Sequence, residues 1–465
     1  MKPLSKFSQF IISILLYVAL FYNQYLGINY SLLCLSLWLL SYSNTTHEKR
    51  SKVFWLLSLA VFISAFSFAW YGDPASFISL FISLFIMGIY TQYRQVKIIT
   101  YPVLAAYSFA SFIVRIFFFS KWLPHVKVNN KASKKAIAYF VIPTLLLTLF
   151  TAIYVVSNNT FSSFFTNIRF NFNVELIVFL SISGFYFMFN YWFMMPPKLM
   201  LELDGKLNNH LTYEASQQFK PTFDFLEIDF ERRSGEISLV LLNLLLIVFI
   251  FTYDYEQLGN ISINTNLSGE LHQSINALIV SIVMAISVIM FYFKSVFNFD
   301  QKAKHLKQLA YCWIALNMLL TISAISKNTE YVFHLGLTFK RIGVYIFLLL
   351  CVIGLIFTYL KIRNKLSNYF LIGKMFVVFF ITIVLNCTIN WSWLITKYNL
   401  TYINHEKENY WYLKSLGFNQ QLLYNHFRND TKWKEYFENE EQDISDKQQR
   451  SFLSKSFYYE HLNLR

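Results

Sequence analysis

The feature that most constrains this chain is a succession of apolar runs, each close to the length that crosses a bilayer. A helix needs roughly 20 apolar residues to traverse a hydrocarbon core about 30 Å thick. Runs of this kind occupy 7–22, 28–42, 53–71, 75–91, 136–156, 174–195, 237–253, 274–293, 309–325, 342–360 and 369–390. Mostly short polar connections separate them, so a soluble multi-domain reading of 465 residues does not apply. Composition agrees, with 55% of residues hydrophobic, 20% aromatic and 14% charged. Strands of a membrane barrel would be shorter and strictly alternating. The expected fold class is all-α: a polytopic helical membrane protein with about 11 transmembrane helices and a small helical C-terminal tail. With 13 glycines and 8 prolines against 50 Phe and 31 Tyr, bulky side-chain packing is expected in place of broken helices or glycine zippers.

Charge placement orients the bundle. The formal charge is +14, yet 391–465 holds ten Lys/Arg and ten Asp/Glu and is neutral. The excess therefore lies in the connections between runs, which is the pattern of cytoplasmic loops and not of a nucleic-acid surface. With the N-terminus inside, the inner segments carry 24 Lys/Arg and the short outer loops four: Arg169, Lys327, Lys340 and Arg341. This predicts a multi-pass membrane protein with a cytoplasmic N-terminus, an extracytoplasmic C-terminus and the lipid bilayer as its first partner. No small-residue cleavage site follows 7–22, so the first two runs read as a retained hairpin.

The run from Ile99 to Phe119 is the exception. As a span it would make 12 helices and put five lysines, from Lys121 to Lys135, on the outer side. It also carries Pro102 and Arg115, a charge costly at a bilayer centre. It is read as an interfacial or re-entrant segment. The division is then 1–98, a four-helix membrane region; 99–135, the interfacial segment and basic loop; 136–390, a seven-helix core; and 391–465, an extracytoplasmic helical tail. FDFLEIDFERR, at 223–233, has the pattern of a surface helix ending an inner loop.

No catalytic residue can be assigned. The chain has no P-loop, no glycine-rich dinucleotide loop and no G-x-S-x-G elbow, and nothing in it suits nucleic acid. Cys34, Cys312, Cys351 and Cys387 lie in apolar runs without metal spacing, and HEKEN at His405 lacks the second histidine of a zinc motif. No metal and no cofactor are expected. Asn243 and Asn317 are mid-membrane amides suited to interhelical hydrogen bonds, and Lys374 is near enough to the inner face to snorkel. One convergence of polar groups stands out at the outer ends of the C-terminal runs. It comprises Asp254, Glu270, His272, His334, Thr338, Lys340 and Arg341, with Glu256, Glu330, Asn386 and Asn390 nearby. Such a ring suits an anionic lipid headgroup or a lipid-linked sugar phosphate. The alternative is architectural: basic residues anchor a span, and acidic ones sit where water reaches.

Several motifs fall in a fixed order: ERRSGEISLVLLNLLLIVF (231–249), GELHQSINALIVSIVMAI (269–286), YVFHLGLTFKRIGVYIF (331–347), and INWSWLITKYNL (389–400) followed by YLKSLG. Over about 130–430 the chain resembles the bacterial integral-membrane family described as domain of unknown function 4173, related to domain of unknown function 4153. GLTFKR and the KYNL-to-YLKSLG stretch carry the resemblance; Phe339 departs from its pattern. The resemblance implies no activity. Two functions remain in play. One is a non-enzymatic envelope, sensor or assembly component that displays its tail to an extracytoplasmic partner. The other is a transporter or lipid-linked-substrate enzyme using the outer polar ring. Few Gly, Pro and mid-span acidic residues favour the first.

Overall fold

The structure, a computed structural model, describes residues 5–46, 50–123, 139, 142–157, 161, 173–211, 227–259, 267–294, 296–403 and 409–463. Among these residues it is all-helical, save for one isolated bridge between His210 and Leu366. Each of the eleven apolar runs contains a helix. Seven helices among the described residues are long and apolar enough to cross a membrane. They are α3 (Lys52–Tyr71), α4 (Pro74–Gln92), α9 (Val174–Trp192), α11 (Ile228–Gly259), α13 (Lys304–Leu335), α14 (Phe339–Arg363) and α15 (Asn368–Asn386). The shorter α1 (Lys6–Phe21), α2 (Ile28–Asn44) and α8 (Ile142–Ser157), and the 26-residue α12 (Leu267–Tyr292), occupy the remaining runs, and the short polar α10 (Lys198–Lys206) follows α9. The chain is thus an all-α polytopic membrane protein.

Local signals start and stop these helices where the sequence places them. Ser51 caps α3, and Gly72, at φ +67°, ends it. Asp73 then accepts from the Ser76 amide at 3.2 Å while Pro74 takes the first position of α4, where its missing N–H costs nothing. Ser367 caps α15 in the same manner.

Ile99 to Phe119 is not one helix. It breaks into α5 (Tyr101–Ala110), α6 (Phe112–Ile116) and the start of α7 (Phe119–Trp122). Arg115, only 2% exposed, anchors it. Its guanidinium reaches the Phe193 and Ser108 carbonyls, the Asn190 amide oxygen and, at 3.0 Å, the Ser111 hydroxyl, which fixes the segment against α9.

Two bundles form. In the N-terminal one, α1–α4 and α9 share a core that includes Phe10, Leu37, Phe54, Phe68, Met87 and Phe189. The seam between α3 and α4 is made of serines: Ser64 meets Ser79 at 2.8 Å, and Ser76 and Ser83 are buried beside them. Small hydroxylated residues let the backbones approach as glycines would. In the C-terminal bundle, α11–α14 enclose Leu239, Ile282, Leu306, Trp313 and Leu355. Asn243 donates from α11 to the Leu309 carbonyl of α13 at 3.2 Å, whereas Asn317 bonds within its own helix. α15 packs on α14 and on α3 and α4 and so joins the bundles. The outward faces are apolar: Leu241, Leu244, Leu245 and Val248, at helical spacing, are all more than half exposed, as a lipid-facing stripe requires.

α11 and α13 each have 32 residues, about 48 Å at 1.5 Å per residue and longer than the core they cross. Two expectations change as a result. Residues from Ile228 onward do not form a separate surface helix but continue into α11. Arg232 is held by Asp229 at 2.8 Å and Asp300 at 3.2 Å, so the charged pattern is satisfied within the protein. α13 runs ten residues past its expected end at 325, because buried Asn328 and Val332 keep its inner face packed.

The tail folds as a cap: α16 (Trp391–Tyr402), α17 (Asn409–Lys414), α18 (Gln420–Phe427), α19 (Lys434–Gln449) and α20 (Phe457–Glu460). Leu413, Leu423, Phe427, Trp433 and Phe437 form its core, continuous with Val332, Leu337 and Ile342 of the membrane part. It also reaches the N-terminal bundle. The Ile28 amide donates to the Lys455 carbonyl at 3.0 Å, Ser451 and Ser454 bond Gln24, and His461 stacks on Trp70. Gly27 is needed there, since a Cβ would lie 2.6 Å from the Lys455 oxygen.

Candidate functional site

The residues proposed for the outer ring lie at the capped end, where α13 turns into α14. The turn is three residues long, Gly336 to Thr338, so His334 ends a helix and does not sit in a loop. Gly336 takes φ +82°, and a side chain there would collide with Asn399. The Asn399 amide holds the turn from above. Its oxygen accepts from the Leu337 N–H at 2.6 Å, and its nitrogen donates to the Leu337 carbonyl at 2.9 Å. Thr338 caps α14 by accepting from the Arg341 N–H at 3.3 Å. The Arg341 guanidinium turns back to the Leu335 carbonyl at 3.1 Å and to the Gly336 carbonyl, closing the C-terminus of α13. The next amide, Phe339 N–H, donates to the Tyr412 hydroxyl at 2.9 Å.

The ring residues therefore separate. Thr338 and Arg341 are engaged with backbone. His334 and Lys340 are exposed on either side of the turn. Asp254 is half-buried near the end of α11, beside Tyr253, whose ring carries the Lys327 ammonium 4.4 Å away. Glu270 and His272 lie in the first turns of α12, and their side chains fall outside the described residues. Among the described residues no group of three or more His, Cys, Asp or Glu side chains could hold a metal. Among the described side chains the turn offers one guanidinium bound to carbonyls, one exposed lysine and one exposed imidazole.

Sequence reasoning missed two residues that build this hub, Asn399 and Tyr412, and read Asn390, which donates to the Phe418 carbonyl at 3.0 Å, only as a neighbour of the ring. A signal was present, because all three lie in or beside the INWSWLITKYNL and YLKSLG motifs. The structure brings together the three motifs that carry the family resemblance: Leu337 of GLTFKR meets Asn399 of KYNL, and Phe339 meets Tyr412 of YLKSLG.

At the opposite, uncapped end, where Arg232 is ion-paired with Asp229 and Asp300, other basic groups meet neutral oxygens. Lys361 is fully buried and donates to the Phe293 carbonyl at 2.8 Å. Lys97 reaches the Asp204 carbonyl at 2.6 Å and the Leu207 carbonyl, while the Asp204 carboxylate accepts from the Lys97 amide at 3.1 Å. Lys374 is exposed and lies 6.0 Å from the Phe370 ring, one turn nearer this end, the geometry of a snorkelling side chain.

Comparison with known proteins agrees with the motifs. The family model described as Domain of unknown function (DUF4153) matches residues 51–424, from the start of α3 into α18. That is the second of the two related families read from the motifs, and the match begins well before residue 130. No curated protein and no solved structure matches the chain. The matched span takes in α3, α4 and α9 of the N-terminal bundle, all of the C-terminal bundle and the whole α13–α14 hub with its Asn399 and Tyr412 partners, and on that extent the chain belongs to the DUF4153 family.

Proposed function

We propose that the protein is a non-enzymatic component of a bacterial cytoplasmic membrane that holds its cap, outside the cell, as a fixed docking surface for a partner protein. The N-terminus is then cytoplasmic, and α5–α7 form a re-entrant piece on the inner side. One observation carries this reading: the cap's core runs into that of the membrane part, and the cap is tied to the ends of helices from both bundles, through Lys455 to α2, His461 to α3 and Asn399 to the α13–α14 turn. An element fixed so broadly presents a constant face. On that face α19 carries six acidic residues and two lysines, with Glu435, Glu438, Asp443 and Asp446 turned to solvent, and Trp411 is 82% exposed. A partner with a basic, partly apolar surface fits it.

The second reading, recognition of an anionic headgroup or lipid-linked substrate by the ring, is favoured only by the exposure of His334 and Lys340. Strains carrying Trp411→Ala with Glu435→Gln and Glu438→Gln test one reading against His334→Ala with Lys340→Ala for the other. Docking predicts that the cap variant inserts normally and loses the deletion-rescuing phenotype, while the ring variant retains it. The reverse pattern would overturn docking in favour of the ring.

A further inference from the structure

The uncapped end holds a cavity of about 560 Å³ between the start of α1, the α7 segment and the turn that follows α9. Its floor is aromatic and thioether: Trp122, Trp192 and Met194. Both indole N–H groups are already engaged, Trp122 with the Ile116 carbonyl and Trp192 with the Ser13 hydroxyl, each at 3.0 Å, so the floor offers ring faces. Its rim carries Lys6 and Lys121, and none of the lining side chains is acidic.

Neither rim lysine has a carboxylate partner among the described residues. Lys6 reaches only the Gln92 amide oxygen, at 3.4 Å, and Lys121 lies 4.9 Å from the Phe118 ring. Behind the wall sits Arg115, whose own partners are the neutral oxygens of Phe193, Ser108, Asn190 and Ser111. No carboxylate among the described residues pairs with these three cations; Asp204, three residues past the lining Leu201, is bonded to the Lys97 amide and the Thr100 hydroxyl. The first 200 residues carry 15 Lys/Arg and only three acidic residues, Glu48, Asp73 and Glu175. Asp73 and Glu175 begin α4 and α9 at the capped end, a bilayer thickness away. Trp122 holds the α7 segment in place by packing on Phe7, Phe10 and Phe193, which keeps Lys121 at the mouth.

We propose that this cavity binds the phosphate headgroup of an anionic membrane lipid, with Lys6 and Lys121 meeting its charge and its first acyl segment lying on the Trp122, Trp192 and Met194 floor. The cavity lies at the polar end of membrane helices. A ligand there must be negative at one end and apolar at the other, and aromatic side chains at a bilayer boundary suit the junction. The proposal is independent of cap docking, which concerns the other end of the molecule.

The full-length protein, solubilised in detergent and examined by native mass spectrometry, tests it with three probes: dioleoyl phosphatidylglycerol, dioleoyl phosphatidylcholine and inorganic phosphate. Phosphatidylglycerol is expected to be retained about tenfold or more in preference to phosphatidylcholine, and Lys6→Gln with Lys121→Gln to abolish the preference. Lys432→Gln with Lys434→Gln, which removes two exposed cap charges, should leave it intact. Equal retention of the two lipids, or equal loss in the two double variants, overturns the proposal. So does displacement of phosphatidylglycerol by equimolar inorganic phosphate, which would make the site one for a free anion. Should the double variant not fold, Lys121→Gln alone gives the reading: about a threefold loss supports the site, and no change counts against it.

Discussion

The two ends of this molecule differ in how many of their charged groups are already held. At the capped end Thr338, Arg341, Asn399 and Tyr412 are matched to the backbone of one turn, and what remains over is an exposed lysine and imidazole. At the uncapped end Arg115 is likewise bound to neutral oxygens, whereas Lys6 and Lys121 have no carboxylate partner among the described residues and open on a cavity. A cluster of charged residues at a helix mouth is thus not informative by itself. What distinguishes architecture from a site is whether each charge already has its partner.

The sharpest way to break this comparison is Asn399→Leu. It leaves the Leu337 N–H and carbonyl unpaired in a buried turn, and each buried orphan costs about 1–3 kcal/mol. Heating the detergent-solubilised variant should collapse its size-exclusion peak at a clearly lower temperature, with the cap becoming protease-sensitive. Wild-type behaviour would mean that the hub does not hold the cap.

A smaller effect separates two neighbours in the same motif. Arg341→Ala removes a charged cap on α13 and should lower stability by about 1.5–3 kcal/mol. Lys340→Ala, at an exposed position, should change it by less than about 0.5 kcal/mol. If the two variants lose stability equally, the division of the ring into engaged and free groups fails.

The smallest effect lies in the cap. Burial raises the Glu440 carboxyl above its ordinary value and Asp443 adds to this, while a Gln420 hydrogen bond and Lys447 oppose it. The folded cap therefore holds this proton more tightly than the unfolded chain. Stability falls as pH rises through the range between the unfolded and the folded pKa, and the penalty is complete above the folded one. Glu440→Gln should make the cap slightly more stable than wild type at neutral pH, with the gain vanishing in acid. A gain that persists unchanged at low pH would refute this account of Glu440.

Much of the fold could be read from the chain because membrane helices are fixed by apolar length, and their ends by caps such as Ser51 and Asp73-Pro74. The extension of α13 to Leu335 could not. KNTEYVFHL is polar enough to pass for a loop, and only the packing of Asn328 and Val332 keeps it helical. The serine seam of α3 and α4 was equally hidden, since serines in apolar runs look like neutral filler. For the site, Gly336-Leu337-Thr338 before an apolar run was already a turn-and-cap signature. Reading Thr338 and Arg341 as ligands passed over it. The contacts of Gln24, Gly27 and Trp70 with the cap join residues about 400 positions apart, for which no local pattern exists.

In the proposed topology the capped and uncapped ends face opposite sides of one membrane. In a background with Cys34, Cys312, Cys351 and Cys387 replaced by alanine, single cysteines at Asp446 in the cap and Lys302 at the basic end can be labelled in intact cells with an impermeant thiol reagent. Labelling at 446, with 302 protected until the membrane is opened, is the predicted result. Labelling of both positions, or of 302 alone, would contradict it.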